Sequence, residues 1–243
     1  MNVLEIAFTS NARKRGALLL DRDHVRRMTR VEPASISLTE RLTPGRAPVE
    51  SLIEHVYAAS YNAIIARHYP YLIGIHAEDG SVIAAAGFRS AAEDQLFLEQ
   101  YLTRPVEEAI AKKVRHPLPR AEIVEIGSFV SIGRGGSLFL FIALMELLRR
   151  NGFTYAVATV AESLGRMLRA FDIECLDLGA ASPKVLPDHG TSWGTYYRTD
   201  PRVLAGPIAS ARRRIGAFLP EAQNGGLDEL LAVHRPGEEA HIQ

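Results

Sequence analysis

The feature that most constrains this chain is a long apolar strand that leads through a glycine-rich turn into a strongly apolar helix. Residues 121–132 (AEIVEIGSFVSI) have the β-branched and aromatic content of a buried strand. The turn 133–136 (GRGG) follows, and residues 137–150 place apolar side chains around most of a helix. Residues 153–160 supply a further strand. Strand, helix and strand in this order predict an α/β fold with parallel neighbours joined by a right-handed crossover.

The rest of the chain predicts a mixed sheet rather than a purely parallel one. An Asp-Gly pair between two apolar runs is typical of a hairpin, which requires antiparallel neighbours in the first half. We therefore expect a central mixed, twisted sheet flanked by helices. Helices are predicted at 48–66, about 105–115, about 162–170 and beyond 206, and strands at 35–39, 71–77, 82–89, 173–178 and 192–199.

Length and charge narrow the class of protein. A chain of 243 residues with 47% hydrophobic residues suits one domain, which we place at 1–205, with 206–243 as a C-terminal helix and a partly disordered tail. The formal net charge is zero, which argues against nucleic acid as a partner. The longest apolar run, 138–145, is shorter than the about 20 residues that span a bilayer.

Other composition signals are mostly negative. Residues 1–15 lack the pattern of a secretory signal, so we expect a cytoplasmic protein. The single cysteine, Cys175, excludes an internal disulfide, and the eight histidines form no ligand pair, so we expect no metal. The oligomeric state is left open.

The glycine-rich turn has the form of a phosphate-binding device. Glycines let the backbone approach an anion, and the free N–H groups and dipole of the following helix attract it. Arg134 could add a direct phosphate contact. A plain tight turn between strand and helix is the alternative interpretation. The segment is not a Walker A loop, since no Gly-Lys-Ser/Thr follows, and no acidic residue completes a dinucleotide fingerprint.

Glu125 is the candidate that carries the chemistry. It lies inside the apolar strand Ile-Val-Glu-Ile, where an unpaired carboxylate is costly to bury. Burial raises the pKa of a carboxyl group, as a general base near neutrality requires. The alternative is a structural carboxylate paired with an arginine such as Arg89 on the neighbouring predicted strand.

This order of elements resembles the GCN5-related N-acyltransferase (GNAT) superfamily. The resemblance implies that the loop after the fourth strand holds the pyrophosphate of coenzyme A and that a carboxylate on that strand acts as general base. The motifs are similar to those of the thermostable hemolysin family over roughly residues 50–206. They are AAAGFRSA (84–91), LFLEQYL (96–102), IVEIGSFVS (123–131) and WGTYYRTDPRVLAG (193–206).

The layout is also similar to that of acyl-homoserine-lactone synthases, which implies an arginine at a strand end and a strand glutamate, matched by Arg89 and Glu125. Those enzymes carry an arginine three residues after the glutamate, where this chain has Ser128. A second departure is Val130, which stands where the superfamily prefers glutamine or arginine before its glycines. The donor implied is therefore acyl-CoA or an acyl carrier protein thioester, used as co-substrate without a metal.

The resulting hypothesis is acyl transfer to a small amine, with amino-acid-like acceptors as the expected class. Glu125 would take the acceptor's proton, Arg89 or Arg104 would bind an acceptor carboxylate, and Tyr197 could protonate the leaving thiolate. Backbone N–H groups near the strand end would polarise the thioester carbonyl. The residues expected to bind the donor are Phe129, Val130, Ser131, Gly133, Arg134, Gly135, Gly136 and Ser137, and Trp193 is expected to contact substrate.

Several alternatives stay open. The string Gly190-Thr-Ser-Trp-Gly194 matches a nucleophile elbow but lacks the required helix after it, so we interpret it as coincidental. Tyr196 and Tyr197 could be packing residues. The family's name suggests a membrane-damaging protein, although the sequence offers no long apolar helix. A non-catalytic module that binds acyl-CoA or an acyl carrier protein is the third hypothesis.

Overall fold

The architecture is a nine-stranded mixed sheet with helices on both faces. The computed structural model of the chain describes residues 2–10, 13–133, 135–170 and 172–219. Within these ranges the strand order is β2-β1-β3-β4-β5-β6-β7-β9-β8. The strands are β1 Val3–Ser10, β2 Arg13–Asp21, β3 Ser35–Thr39, β4 Tyr71–His76, β5 Val82–Ser90, β6 Ile123–Ser131, β7 Tyr155–Val160, β8 Leu176–Ala180 and β9 Arg202–Pro207. The helices are α1 Arg22–Met28, α2 Arg46–Tyr61, α3 Val106–Val114, α4 Gly136–Arg150, α5 Glu162–Ala170 and α6 Ile208–Ile215.

Strand directions confirm the mixed sheet. β3, β4, β5 and β6 pair in antiparallel fashion, and β6 pairs in parallel with β7 through the crossover helix α4. In the second half of the chain, the predicted parallel pairing occurs between β6 and β7 alone among the described strands. β9 inserts between β7 and β8 and is antiparallel to both, so β8 never pairs with β7.

The two faces of the sheet carry different layers. Alternate residues of β5 point to opposite faces, and Ala84, Ala86 and Phe88 belong to the large core that also contains α4 and α6. Ala85 instead packs with α2 on the opposite face, and α3 covers a third cluster that includes Ile123. Almost every residue of α4 is buried because the helix lies between the sheet and α6.

Two local predictions were wrong, and the residues before 35 carried no predicted element. The chain there forms the β1–β2 hairpin and α1. The helix predicted at 48–66 ends at Tyr61, because Asn62 adopts a left-handed φ of 52° and caps it. The strand predicted at 192–199 consists of two 3₁₀ turns, Thr191–Trp193 and Tyr196–Thr199.

The physical reason for the last error is a side-chain cap. Asp188 accepts hydrogen bonds from the backbone N–H groups of Gly190 and Ser192, which closes the chain into a turn. The strand that completes this part of the sheet comes later, as β9. The predicted boundary at 205/206 lies within β9, and Ile208 and Ile215 of α6 are buried in the main core. The rest of the predicted tail, 220–243, lies outside the described residues.

Candidate functional site

The sheet opens where β6 and β7 diverge. Their parallel pairing begins at Ile123 with Tyr155 and ends at Ile126 with Ala158, although β6 continues to Ser131. β7 pairs with β9 along its whole length, from Tyr155 with Pro207 to Val160 with Arg202, so its last two residues have a strand partner on that side alone. The gap is a cavity of about 410 Å³, here called the central cavity. Residues 126–131 form one wall, and α2, Ser137, Thr159, Ala161, Leu164 and Tyr196 contribute the others.

A bulge in β6 lies at the centre of this opening. The register between β5 and β6 shifts between Ala85 and Gly87, and Ser128 adopts a φ of 51°. A left-handed conformation is costly for a non-glycine residue and tends to occur at functional positions. Because the bulge turns the strand, residues 128–131 face the central cavity.

Two further cavities meet the central one at the same strand. A polar cavity of about 760 Å³ lies on the α2 and α3 side of the sheet and shares Ser128 with the central cavity. An apolar cavity of about 80 Å³ lies on the α4 and α6 side and shares Ile126, Phe129 and Leu164 with it. The end of β6 therefore separates a polar compartment from an apolar compartment.

Glu125 lies beside this junction but is deeply buried. It is 1% exposed, and its Oε2 and Oε1 accept the backbone N–H groups of Phe97 and Leu98, each at 2.9 Å. Burial raises the pKa of Glu125, while the two N–H donors, Arg89 and Tyr69 oppose the rise. Glu125 is not among the residues that line the three cavities.

Arg89 connects Glu125 to the polar cavity. The two residues are register partners on β5 and β6, and Nε of Arg89 lies 3.7 Å from Oε2 of Glu125. The guanidinium also lies 5.1 Å from the centre of the Tyr69 ring and lines the polar cavity. Arg89 therefore pairs with Glu125 and also lines the polar cavity. Its catalytic or acceptor-binding role stays a prediction.

The motif LFLEQYL is explained by two buried carboxylates. Glu125 holds the N–H groups of Phe97 and Leu98, while Glu99 accepts those of Leu96 and Val106. Arg120 binds Glu99 in bidentate fashion at 2.7 and 2.8 Å. Burial raises the pKa of Glu99, but these hydrogen bonds more than reverse the effect and hold it at about 2. The 3₁₀ turn Phe97–Tyr101 is thus fixed against β6.

The predicted aromatic residues separate into two groups. Trp193 lines the polar cavity, and its ring centroid is 5.6 Å from that of Phe97. Tyr196 faces the central cavity and bonds the carbonyl of Thr159 at 3.2 Å. The Tyr197 hydroxyl instead lies 2.6 Å from that of Tyr101, away from the lining of the three cavities. Its role as a proton donor stays a prediction.

The glycine turn has both structural and open positions. Gly135 caps α4 with a φ of 109°, and a Cβ there would collide with the Thr29 side chain. A Cβ on Gly136 would lie 3.1 Å from the Ile83 carbonyl. Gly133 has open space around its Cα, and Ser137 lines the central cavity. Arg134 lies outside the described residues.

The remaining predicted donor residues lie at the bulge. Phe129, Val130 and Ser131 all line the central cavity, and Val130 also packs into the α2 core. Arg104 is exposed between the 3₁₀ turn and α3, and it is not among the residues that line the three cavities. In the described ranges no cluster of three or more potential metal ligands occurs.

Tyr69 is the residue that sequence reasoning missed. It lines the polar cavity, and its ring covers Gly87 and Gly127, which are register partners on β5 and β6. A Cβ at Gly87 would lie 2.7 Å from the ring. Glycines inside strands mark a close approach by another group, so this pair was the available signal.

Across the residues that the structure describes, none of the helices combines the length and the apolar character needed to cross a membrane.

Solved structures show what class of fold this is. The chain is similar to the acyl-homoserine-lactone synthase LasI (14% identity, TM-score 0.52), with 77% of this chain and 97% of LasI covered. Apo TofI gives 14% identity and a TM-score of 0.51 over 76% and 97% of the two chains. FeeM, an N-acyl amino acid synthase from uncultured soil microbes, gives 11% and 0.50 over 74% and 93%. The fold is GNAT-like, as the sequence predicts.

The family follows from the sequence itself. Residues 39–212 match the thermostable hemolysin family, so the chain belongs to that family. No curated protein shows significant similarity to the chain. The match begins at the end of β3 and ends within α6, and it includes all three cavities described above.

Proposed function

We propose that this protein is an acyltransferase that moves a fatty acyl group from a thioester to a small amine by direct attack. The observation that carries the proposal is the meeting of three compartments at the bulge of β6: a polar one, a central one beside a helix N-terminus, and an apolar one. A thioester with a long chain, a phosphate-bearing carrier and an amine acceptor require three such surroundings.

The donor would occupy the central cavity. The 15-residue helix α4 begins there, with Ser137 in the cavity wall and open space around Gly133 just before it. Free N–H groups and the helix dipole favour the phosphates of coenzyme A or of a carrier's phosphopantetheine. Beyond Ile126, the edge of β6 that faces β7 has no strand partner in the described structure. Its N–H groups from Phe129 to Ser131 would polarise the thioester carbonyl.

The apolar cavity would receive the acyl chain. Its lining is almost entirely aliphatic and aromatic and includes Ala156, Ala158, Leu164, Met145 and Cys175. Its volume of about 80 Å³ is small, and it shares Ile126, Phe129 and Leu164 with the wall of the central cavity. Burial of each methylene favours binding by about 0.8 kcal/mol, so this compartment would select long or medium chains over acetyl.

The polar cavity would receive the acceptor. Arg67 and Arg89 could bind a carboxylate, Asp94 and Asp188 could attract an ammonium group, and the aromatic rings of Phe97 and Trp193 supply apolar contact. These groups fit an amino acid or a related small amine. Glu125 would be the final proton acceptor, since burial raises the pKa of its carboxyl group.

The reaction is balanced without a cofactor beyond the thioester. The amine nitrogen bonds to the carbonyl carbon, the C–S bond breaks, one amine proton leaves toward Glu125 and the thiolate departs. Glu125 then returns its proton to the thiolate or to water. Acyl-CoA and acyl carrier protein are both cytoplasmic donors, in keeping with the predicted location.

The test is mass spectrometry of the purified protein incubated with an acyl donor and a pool of amino acids and polyamines. The donors are C2, C8 and C16 acyl-CoAs and acyl carrier protein loaded with the same acyl chains. Release of free thiol is followed in parallel. We expect an N-acylated product and stoichiometric thiol with a C8 or C16 donor. Binding of donor without product or thiol release would instead identify a non-catalytic binding module.

A separate measurement addresses membrane damage. Purified protein is added to erythrocytes with and without acyl donor and acceptor. Lysis that requires donor and acceptor would come from an acylated, surfactant-like product. Lysis by the protein alone would contradict the acyltransferase as the source of that activity.

A further inference from the structure

Tyr69 lies between the buried carboxylate and the polar cavity. Its ring rests on Gly87 and Gly127, and a Cβ at Gly127 would overlap both the ring and the hydroxyl. Gly127 is two residues from Glu125 on the same strand, and such residues share one face of the sheet, so the Tyr69 hydroxyl lies on the face of β6 that carries the Glu125 carboxyl group. The opposite side of Tyr69 lines the polar cavity.

Glu125 cannot meet an acceptor by itself. Its side chain is 1% exposed, both oxygens accept backbone N–H groups, and Arg89 lies on its cavity side. Water or a side chain must therefore connect it with any amine in the polar cavity. Tyr69 lines that cavity and places its hydroxyl over Gly127, on the face of β6 that carries Glu125.

We propose that Tyr69 is a catalytic residue that accepts the acceptor's proton while passing its own phenolic proton to Glu125. The inference rests on the proposed acyltransferase function and names the group that touches the attacking amine. In this step the amine N–H bond breaks as the N–C bond forms, and the proton reaches Tyr69 Oη. The Tyr69 O–H proton moves to Glu125, so the phenol is neutral before and after.

The surroundings of Tyr69 suit this role. Burial raises the pKa of Tyr69, and the charge of Glu125 raises it further while Arg89 lowers it, so the hydroxyl is protonated at neutral pH. The other titratable groups facing it are Tyr57 and Tyr196, which also raise that pKa. The Arg89 guanidinium lies 5.1 Å from the centre of the Tyr69 ring, a cation–π contact that helps to hold the ring in place.

The experiment compares Tyr69→Phe with Tyr71→Phe in the full chain. Tyr71 is a matched control because its hydroxyl bonds Glu93 at 3.2 Å on the surface, away from the three cavities. The assay uses the acyl-CoA and amine that the product search identifies. We expect Tyr69→Phe to lower kcat roughly 100-fold, with KM for acyl-CoA within about twofold, as for loss of a general acid–base group. Tyr71→Phe should retain wild-type kcat.

A second measurement tests the contact between Tyr69 and Glu125 without following turnover. Infrared titration follows the absorption band of the protonated Glu125 carboxyl group. The band is assigned by its loss in Glu125→Gln. A hydrogen bond from Tyr69 would lower the pKa of Glu125, so the relay predicts that Tyr69→Phe shifts the band's midpoint to higher pH. Gly127→Ala, which displaces the ring without altering it, should act in the same direction.

The outcomes separate the two proposals. No product with wild-type protein overturns the proposed function and the relay with it. Wild-type turnover with Tyr69→Phe as active as Tyr71→Phe overturns the relay alone. An unshifted carboxyl band in both Tyr69→Phe and Gly127→Ala also overturns the relay, since it would show that Tyr69 does not bond Glu125.

Discussion

Arg89 and Glu125 are directly opposed on β5 and β6, yet Nε of Arg89 stays 3.7 Å from Oε2 and forms no hydrogen bond in the described structure. The contact is therefore an attraction between charges rather than a bidentate clamp. Such a pair stabilises the carboxylate while leaving the guanidinium able to bind a second anion from the polar cavity. This geometry gives the pair a measurable influence on the pH dependence of activity.

The first prediction concerns the acid limb of the pH–rate profile. Burial raises the pKa of Glu125, so kcat/KM should rise with pH through an apparent pKa above the usual carboxyl value of 4.5. Arg89 lowers that pKa, so Arg89→Met should move the limb to higher pH. The measurement is kcat/KM from pH 4 to 9. A limb that does not move in Arg89→Met would remove Glu125 as the group that titrates.

The second prediction concerns stability. The pKa of Glu99 is about 2 in the fold, below its ordinary value of 4.5. A depressed pKa adds stability that is complete above 4.5 and is lost as pH falls toward about 2. Glu99→Gln should cost about 2–3 kcal/mol at pH 7, as expected for hydrogen bonds to a charged group. Urea unfolding from pH 7 to pH 3 should show this gap shrinking.

The control for Glu99 is Glu107→Gln. Glu107 bonds the same arginine, Arg120, at 2.6 Å but has a side chain that is 27% exposed, against 6% for Glu99. Glu107→Gln should therefore lower the free energy of unfolding by less than Glu99→Gln does. Equal losses at both positions would indicate that the backbone N–H groups held by Glu99 contribute little.

The third prediction concerns chain length. Ala158 lines the apolar cavity next to the point where β6 and β7 diverge. Ala158→Leu adds three carbons to a cavity of about 80 Å³ and should lower turnover of C8 and C16 acyl-CoA at least tenfold while changing that of C2 acyl-CoA little. Competition between C2 and C16 donors in one reaction measures the ratio directly. An unchanged ratio would place the acyl chain elsewhere.

The fourth prediction separates the roles of the glycines before α4. Gly135→Ala combines a φ of 109° with a collision against Thr29, so it should destabilise the fold by about 3 kcal/mol or more. Gly133→Ala meets open space at a φ of 68° and should cost only about 1–2 kcal/mol. Thermal unfolding compares the two. If Gly133 contacts the donor's phosphates, only Gly133→Ala should weaken coenzyme A binding beyond its effect on stability.

Several features of this protein follow from local sequence. The strand, glycine turn and helix from 121 to 150 are readable because apolar periodicity and glycine conformational freedom act over a few residues. The hairpin of β4 and β5 follows from Asp79-Gly80 in the same way. Glu125 could be singled out because a charge inside an apolar strand is costly wherever that strand packs.

Other features depend on partners distant in sequence. The order that inserts β9 between β7 and β8 is set by contacts that no local pattern encodes. The position of the segment around Trp193 is set in the same way, because the carbonyl of Ser192 accepts the N–H of Ile64 and the N–H of Thr195 bonds the carbonyl of Tyr61. The same is true of Tyr69, whose ring covers Gly87 and Gly127 only because these glycines become neighbours once β5 and β6 pair. Local chemistry singled out Glu125 as the candidate base. The pairing of strands decided that its carboxyl group is buried, and that the Tyr69 ring lies over β6 at the wall of the polar cavity.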